Sequence, residues 1–268
     1  MNTWSYRRRI AVALRYLLLE QSRNRLALGI LLVFVPLWYV IVGSIVAHDS
    51  VVFRFRAGSG LLSVDGHNLS LLTAGLNTIT EVVAFTVFSS ARAGLRFDRR
   101  LVLCGFPRSA AILAKLGAIA MVALVVALYA TVTLLAFWQP LALALVLLGF
   151  LGAALAYGAL GLLLGVLVAN ELAGFFVIIM LSLIDTFLQN PIGNPTANKA
   201  IVEFFPSYGP TQIAVAGGFS RLMPWTELGL TLLWPLAFVA IAFVVFWWRT
   251  RIARNPTPRH AAMDAQPA

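Results

Sequence analysis

The chain has 268 residues, of which 60% are hydrophobic and 11% are charged, and its net charge is +10. Soluble domains are about 45–50% apolar and about 25% charged, so this composition excludes an ordinary soluble protein. A nucleic-acid partner is not expected either, because nearly all the arginines flank apolar runs and form no separate basic domain.

Residues 1–25 are predicted to form an amphipathic helix that lies in the cytoplasmic interface of the membrane. On a helical wheel the apolar face holds Ile10, Leu14, Leu17 and Leu18, and the opposite face holds Arg7, Arg8 and Arg15. The basic face suits anionic headgroups, so membrane lipid is an expected partner. An anchoring role and a mechanical role are both open.

Six apolar runs follow, each long enough for a helix to cross a bilayer core of about 30 Å. They cover approximately residues 26–46, 71–91, 110–138, 141–168, 172–188 and 228–248. Residues 51–56, VVFRFR, alternate like a strand but are too few to support a domain. The sequence therefore predicts an all-α membrane domain over residues 26–248, followed by a disordered cytoplasmic tail at 249–268.

The distribution of lysine and arginine predicts the orientation of the spans. Sixteen of the 20 lie in the N-terminal segment, in residues 91–115 and in the tail, and four lie in the two longer loops at 48–70 and 189–227. Cytoplasmic loops carry the excess of positive charge. Both termini are therefore expected in the cytoplasm, in a plasma or inner cell membrane.

The second span is the most polar, with Thr73, Asn77, Thr80 and Glu81 along one side of a helix. An acid at mid-span is a functional candidate by default. Hydrogen bonding of Glu81 to a neighbouring helix is an equally open interpretation. Asp185 lies near the outer end of the fifth span, close to water, where a helix-end cap or an outer hydrogen bond is expected.

The fourth span carries a seam of small residues at steps of four, three and four: Ala154, Gly158, Gly161 and Gly165. Such a seam lets another helix approach closely, so packing is its expected role. In the region 189–227, the apolar pieces 202–205 and 212–219 are too short to cross a membrane. They are predicted to be short re-entrant or interfacial helices on the outer side.

Sequence signatures of catalysis are missing from the chain. It has no GxxxxGK[ST] nucleotide loop and no HExxH among its three histidines, and its only cysteine is Cys104. No catalytic residue, metal site or bound cofactor is predicted. Any work that the chain does is expected to be conformational.

Residues 91–115, ARAGLRFDRRLVLCGFPRSAAILAK, form a basic island between the second and third spans. Residues 98–104 are predicted to form about two turns of helix, ended by Gly105, Phe106 and Pro107. A short basic helix held between two spans could transmit force from a soluble partner. The alternative is a connector that only fixes topology.

This pattern resembles the ABC-2 type permeases, the membrane subunits of ATP-binding-cassette exporters, over almost the whole chain. The most specific stretches are DRRLVLCGFPRSAAILAK at 98–115, DTFLQNP at 185–191 and FFPSYGPTQ at 204–212. The resemblance implies a coupling helix that docks on a separate ATPase subunit, and the docking residues would be Asp98, Arg99, Arg100, Leu101, Gly105, Phe106 and Pro107. An arginine and a leucine stand where many members carry a Gly-Thr pair.

The resemblance also implies a mechanism. Two permeases, identical or related, would face each other, and two ATPase subunits that bind ATP and magnesium would close beneath them. The substrate path would run between the second and fifth spans, lined by Thr73, Asn77, Thr80 and Glu81. A small amphipathic or lipidic compound, or a drug, is the expected cargo, and export is the expected direction.

Two other function classes remain open. An ion-coupled secondary transporter would use Glu81, since the second and fifth spans each carry an acid. A membrane scaffold or immunity-type protein that transports nothing is the third possibility.

Overall fold

Long apolar helices make up most of the computed structural model, which describes residues 3–58, 60–194 and 200–251. The helices are α1 (Thr3–Arg23), α2 (Arg25–Ile45), α3 (Gly66–Leu103), α4 (Arg108–Leu134), α5 (Leu143–Leu167), α6 (Glu171–Gln189), α7 (Tyr208–Phe219) and α8 (Trp225–Arg251). The remaining elements are β1 (Ser50–Phe55), β2 (Gly60–Asp65) and two short 3-10 turns, Arg56–Gly58 and Ala200–Phe204. Six helices, α2 to α6 and α8, are long and apolar enough to cross a membrane. This confirms the predicted all-α class and six candidate spans.

The bundle has two ends, which we name by the chain. The basal end is where α2 begins, and it carries α1 and the turn between α3 and α4. The distal end is where α2 finishes, and it carries the β1–β2 hairpin and the turn between α4 and α5. The hairpin pairs Ser50 with Asp65 and Phe55 with Gly60. Residues 51–55 of the strand-like stretch therefore form part of a small two-stranded sheet attached to the helical bundle.

Helix α5 lies at the centre and packs most extensively against α3, and also against α4, α7 and α8. The predicted seam faces α3 along its glycines: a Cβ atom at Gly161 would come within 2.4 Å of the Ala84 carbonyl, and one at Gly165 within 2.8 Å of the Ala91 Cβ. Ala154 is fully buried in the same core. Only glycine allows the two helix backbones to approach this closely.

The basic island is helical over most of its length, which differs from the predicted short helix between two spans. Helix α3 runs for 38 residues without a proline, so residues 98–103 are its basal continuation. It ends in a Schellman turn: Phe106 N–H donates to the Leu101 carbonyl, and Gly105 has a φ of 86°. Arginine and leucine are good helix formers, so the helix continues where the apolar run stops.

Helix α1 packs directly against the basal part of α4. The Tyr6 hydroxyl donates to Ser109 Oγ at 2.8 Å, and the Leu14 side chain lies over Gly117. The arginines at 7, 8, 9 and 15 are exposed. The helix therefore presents an apolar face to α4 and a basic face outward.

The region 189–227 forms a second distal element. Helix α7 packs on α5 in antiparallel fashion, with Gly217 beside Val146 at the distal end and Pro210 beside Gly149 and Gly152 further in. An ion pair between Arg56 and Glu203 ties the hairpin to the 3-10 turn that precedes α7. Residues 195–199 lie outside the described part of the chain.

The structure covers only the first three residues of the tail predicted at 249–268. Helix α8 continues to Arg251, three residues past the predicted end of the sixth span. Residues 252–268, for which disorder is predicted, lie outside the described residues.

Candidate functional site: a buried polar cluster between α3, α5, α6 and α7

Helices α3 and α6 meet through hydroxyl and amide side chains. The Asn77 amide donates to Thr186 Oγ1 at 3.2 Å and to Ser182 Oγ at 3.4 Å. The hydroxyls of Thr80 and Ser182 are 2.6 Å apart. These side chains are buried. The polar face predicted on the second span, α3, is therefore covered by the fifth span, α6.

Thr73, the first residue of the predicted polar face, lies apart from this contact. Its hydroxyl donates to the Leu69 carbonyl of its own helix. It lines a small distal pocket that also includes Gln189 and Thr211. The structure therefore brings two of the four predicted path residues, Asn77 and Thr80, into contact with α6.

Glu81 lies one turn basal of Asn77 and is 7% exposed. Its carboxylate interacts with the Asn77 side chain and lies close enough to Tyr157 to influence it electrostatically. Among the described residues Glu81 forms no ion pair. An ionised carboxylate inside an apolar bundle is costly without a cation or several donors, so Glu81 is a buried acid with little compensation.

Asp185 is the centre of the hydrogen-bond network. It accepts from the Ser207 hydroxyl at 2.6 Å, from the Ser207 N–H at 2.9 Å and from the Tyr157 hydroxyl at 2.7 Å. Gln189 adds a longer contact of 3.4 Å. With 2% of its surface exposed, Asp185 does not lie close to water, and that part of the prediction is wrong. It joins α5 and α6 to the start of α7.

The register of α3 on α6 brings the two acids near each other. Phe88 packs against Gly174 and Phe175, and Asn77 contacts Thr186, so the two helices are antiparallel. Asp185 is therefore level with Asn77, and Glu81 lies about one helical turn further in. Two separate depths, one at mid-span and one at the outer surface, were expected for these acids. They belong to one cluster.

Several members of this cluster were missed by sequence reasoning. On α6, Ser182, Thr186 and Gln189 share one polar face with Asp185 at a helical period, so these three residues could have been found from the sequence. Ser207 and Tyr157 gave no such signal. Tyr157 is a single polar group in an otherwise apolar helix, and its role depends on a tertiary contact with Asp185.

The residues predicted to dock on an ATPase differ in their exposure. Asp98 is 7% exposed and forms an ion pair with Lys115 of α4, so its carboxylate faces inward. Leu101 and Phe106 are half-buried, and Pro107 begins α4 as its N-cap. Arg100 and Gly105 are exposed. The Arg99 side chain lies outside the described residues.

Within the described ranges, no group of three histidine, cysteine, aspartate or glutamate side chains could hold a metal ion. Comparison of the chain with models of known protein families and with curated protein sequences finds no match. The likeness to ABC-2 permeases therefore depends on the architecture and the motifs described above.

Proposed function

We propose that this chain is the permease subunit of an ABC-type exporter, driven by ATP hydrolysis on a separate ATPase subunit. Its cargo would be a small amphipathic or lipidic compound or a drug. In this proposal the basal end faces the cytoplasm, since that end carries α1 and the arginines of the island. A second copy or a related permease would complete the transport path.

The observation that carries the proposal is the continuity of α3. One helix holds the polar contact with α6 at residues 77–81 and the exposed basal tip at Arg100. The Asp98–Lys115 ion pair fastens the tip to α4, so the two helices form a stiff hairpin. A force applied at the tip by a soluble partner would therefore reach the cluster through a helix with no break in it.

Affinity purification of the tagged chain in mild detergent tests the proposal. We expect a stoichiometric ATPase subunit to co-purify with the chain, and we expect Arg100→Glu to remove it. Arg54→Glu is the matched control, because Arg54 is also exposed but lies on the distal hairpin. A chain that purifies alone, or an ATPase that both variants retain equally, would contradict this function.

The polar contact supplies the path in this proposal. Asn77, Thr80 and Glu81 would line it when α3 and α6 separate. Transport should fall at least about tenfold in the double variant Asn77→Ala, Glu81→Ala. The variant removes side chains that would form hydrogen bonds with the cargo, so polar groups of the cargo would be left unpaired in a buried path. Unchanged transport at normal expression would remove these residues from the path.

A second candidate function, an ion-coupled secondary transporter, is favoured by one observation. Glu81 is buried and forms no ion pair among the described residues, and such a carboxylate could carry a proton across the bilayer. Vesicles that contain only this chain would then take up cargo under a proton gradient, and Glu81→Gln would stop the uptake. Uptake that needs ATP and a second subunit would exclude this candidate.

A further inference from the structure

A large cleft lies at the basal end between α1, α3 and α4. Its volume is about 730 Å³, within the range of about 300–1,000 Å³ that small-molecule sites occupy. Apolar side chains supply most of its walls, among them Val12, Leu17, Val87, Leu101, Phe106 and Ile119. The cleft is separate from the polar cluster between α3 and α6.

The polar groups of the cleft are concentrated on the last turns of α1. Glu20, Gln21 and Arg23 line the cleft, and the Gln21 Oε1 atom is buried without a hydrogen-bond partner. Among the described residues Glu20 and Arg23 form no ion pair with each other or with a third group. The other charges on the wall, Asp98 and Lys115, neutralise each other. The cleft therefore offers acceptors and one cation to a ligand.

The position of the cleft matches a lipid headgroup. Arg23 lies two residues before the start of α2, whose apolar membrane window begins at Leu28. The opposite face of α1 carries exposed arginines, as expected for a helix at a membrane surface. The Glu20–Arg23 rim is therefore at the depth where headgroups meet the start of a span.

We propose that the cleft binds one phospholipid whose headgroup carries both a phosphate and an ammonium N–H. An acyl chain would lie against the apolar walls. Arg23 would hold the phosphate, and Glu20 and Gln21 Oε1 would accept hydrogen bonds from the ammonium group, which satisfies the buried acceptor. Charges of both signs at the rim favour a zwitterion over a purely anionic lipid. The proposal does not depend on the transport function proposed above.

Native mass spectrometry of the purified full chain tests this assignment. The chain is reconstituted with equal amounts of phosphatidylethanolamine and phosphatidylcholine that carry the same acyl chains, and it is then released from detergent. Since phosphatidylcholine has methyl groups in place of the ammonium N–H, it lacks the donor. We expect one phosphatidylethanolamine per chain, retained at least about tenfold over phosphatidylcholine.

Two alanines on α1 supply a matched pair of variants. Ala13 lines the cleft, and Ala11 is exposed on the other side of the helix. Ala13→Trp should reduce the retained lipid at least about tenfold by filling the cleft, and Ala11→Trp should leave it unchanged. Glu20→Gln, which keeps the packing of α1, should abolish the preference between the two lipids.

Equal retention of the two lipids would overturn the headgroup assignment. Full retention in Ala13→Trp would place the lipid elsewhere on the protein. Absence of lipid, together with a protein that co-purifies with the unaltered chain and is lost in Ala13→Trp, would show that the cleft docks a protein segment instead.

Discussion

Asp185 gives a short helix a fixed place in the bundle. Helix α7 has 12 residues, two of which are the adjacent glycines 217 and 218. Isolated helices of this length are marginal in water. The Asp185 carboxylate compensates by accepting the Ser207 N–H at the start of α7, where negative charge suits the helix dipole. The side chain of α6 thus positions the first turn of α7.

Replacement of Asp185 by alanine should destabilise the protein by about 2–5 kcal/mol, because the Ser207 hydroxyl and N–H would be buried without their acceptor. The Tyr157 hydroxyl would keep only its longer contact of 3.3 Å with the Leu181 carbonyl. Thermal unfolding in detergent measures the effect. Glu171→Ala is the control, since Glu171 is an exposed acid on the same helix. A similar loss in both variants would contradict the role assigned to Asp185.

Asp65 predicts a pH dependence at the distal end. Partial burial opposes its ionisation, but hydrogen bonds from the His48 ring at 2.7 Å and the His67 N–H at 2.9 Å outweigh it, and the pKa of Asp65 is lowered. The ionised carboxylate therefore stabilises the fold above its unfolded pKa of about 3.9. This contribution is lost as the pH falls through the lower folded pKa.

Asp65 is the N-cap of α3, and Asp65→Asn keeps this cap while it removes the charge. The melting temperature of this variant should lie below that of the unaltered chain at pH 6, and the gap should be smaller at pH 3, because the contribution of the charge begins to be lost below the unfolded pKa of about 3.9. A gap of the same size at both pH values would show that the charge of Asp65 does not contribute.

Individual residues of the site were predictable to different degrees. Glu81 and Asn77 are polar residues in an apolar span, so they could be identified from the sequence. Their contacts could not be predicted in this way. The burial of Asp185 was not predictable, because it lies close to the end of its predicted span, where a side chain is expected to be in contact with water. Ser207 reaches it only after the chain folds back through the turn that precedes α7.

At the scale of elements, the contact between α3 and α5 sets the spacing of the core. Gly161→Ala should destabilise the protein by about 1–3 kcal/mol, since the new methyl group would overlap the Ala84 carbonyl. Gly229→Ala is the matched control, because a Cβ atom there meets nothing within 4 Å. Denaturation in detergent should leave this control unchanged or slightly more stable. Equal effects at the two glycines would contradict the close approach.

The spans themselves followed from hydropathy, but the ends of the helices did not. Hydropathy reports which residues avoid water, and it falls at Arg92 and Arg96. Backbone hydrogen bonding does not need apolar side chains, so α3 continues to Leu103. Conversely, the stop at Gly105 was predictable, because a left-handed turn at that position requires glycine.

At the scale of the whole molecule, transport through the proposed path requires α3 and α6 to separate. Cysteines at positions 80 and 182, introduced in a Cys104→Ser background, would lie close enough to form a disulfide, since the native hydroxyls are 2.6 Å apart. We expect oxidation to stop transport and reduction to restore it. The measurement is transport by vesicles that contain the complete transporter.

A second pair of cysteines controls for oxidation itself. Val52 and Ser63 are paired across the exposed hairpin, away from the path. Cysteines at these positions should cross-link without a loss of transport. Full transport by the oxidised 80–182 pair would mean that the contact between α3 and α6 never opens.

The length of α3 has a mechanical consequence. The contact of its Ala84 with Gly161 of α5 divides its 38 residues into arms of nearly equal length, about 27 Å toward Gly66 and about 28 Å toward Leu103. A rod held at its middle swings its two ends in opposite directions by equal amounts. A tilt of about 5° would move each end by about 2.4 Å. If α3 tilted as a rigid rod about this contact, a displacement of its basal tip would reach the β1–β2 hairpin at a ratio close to one.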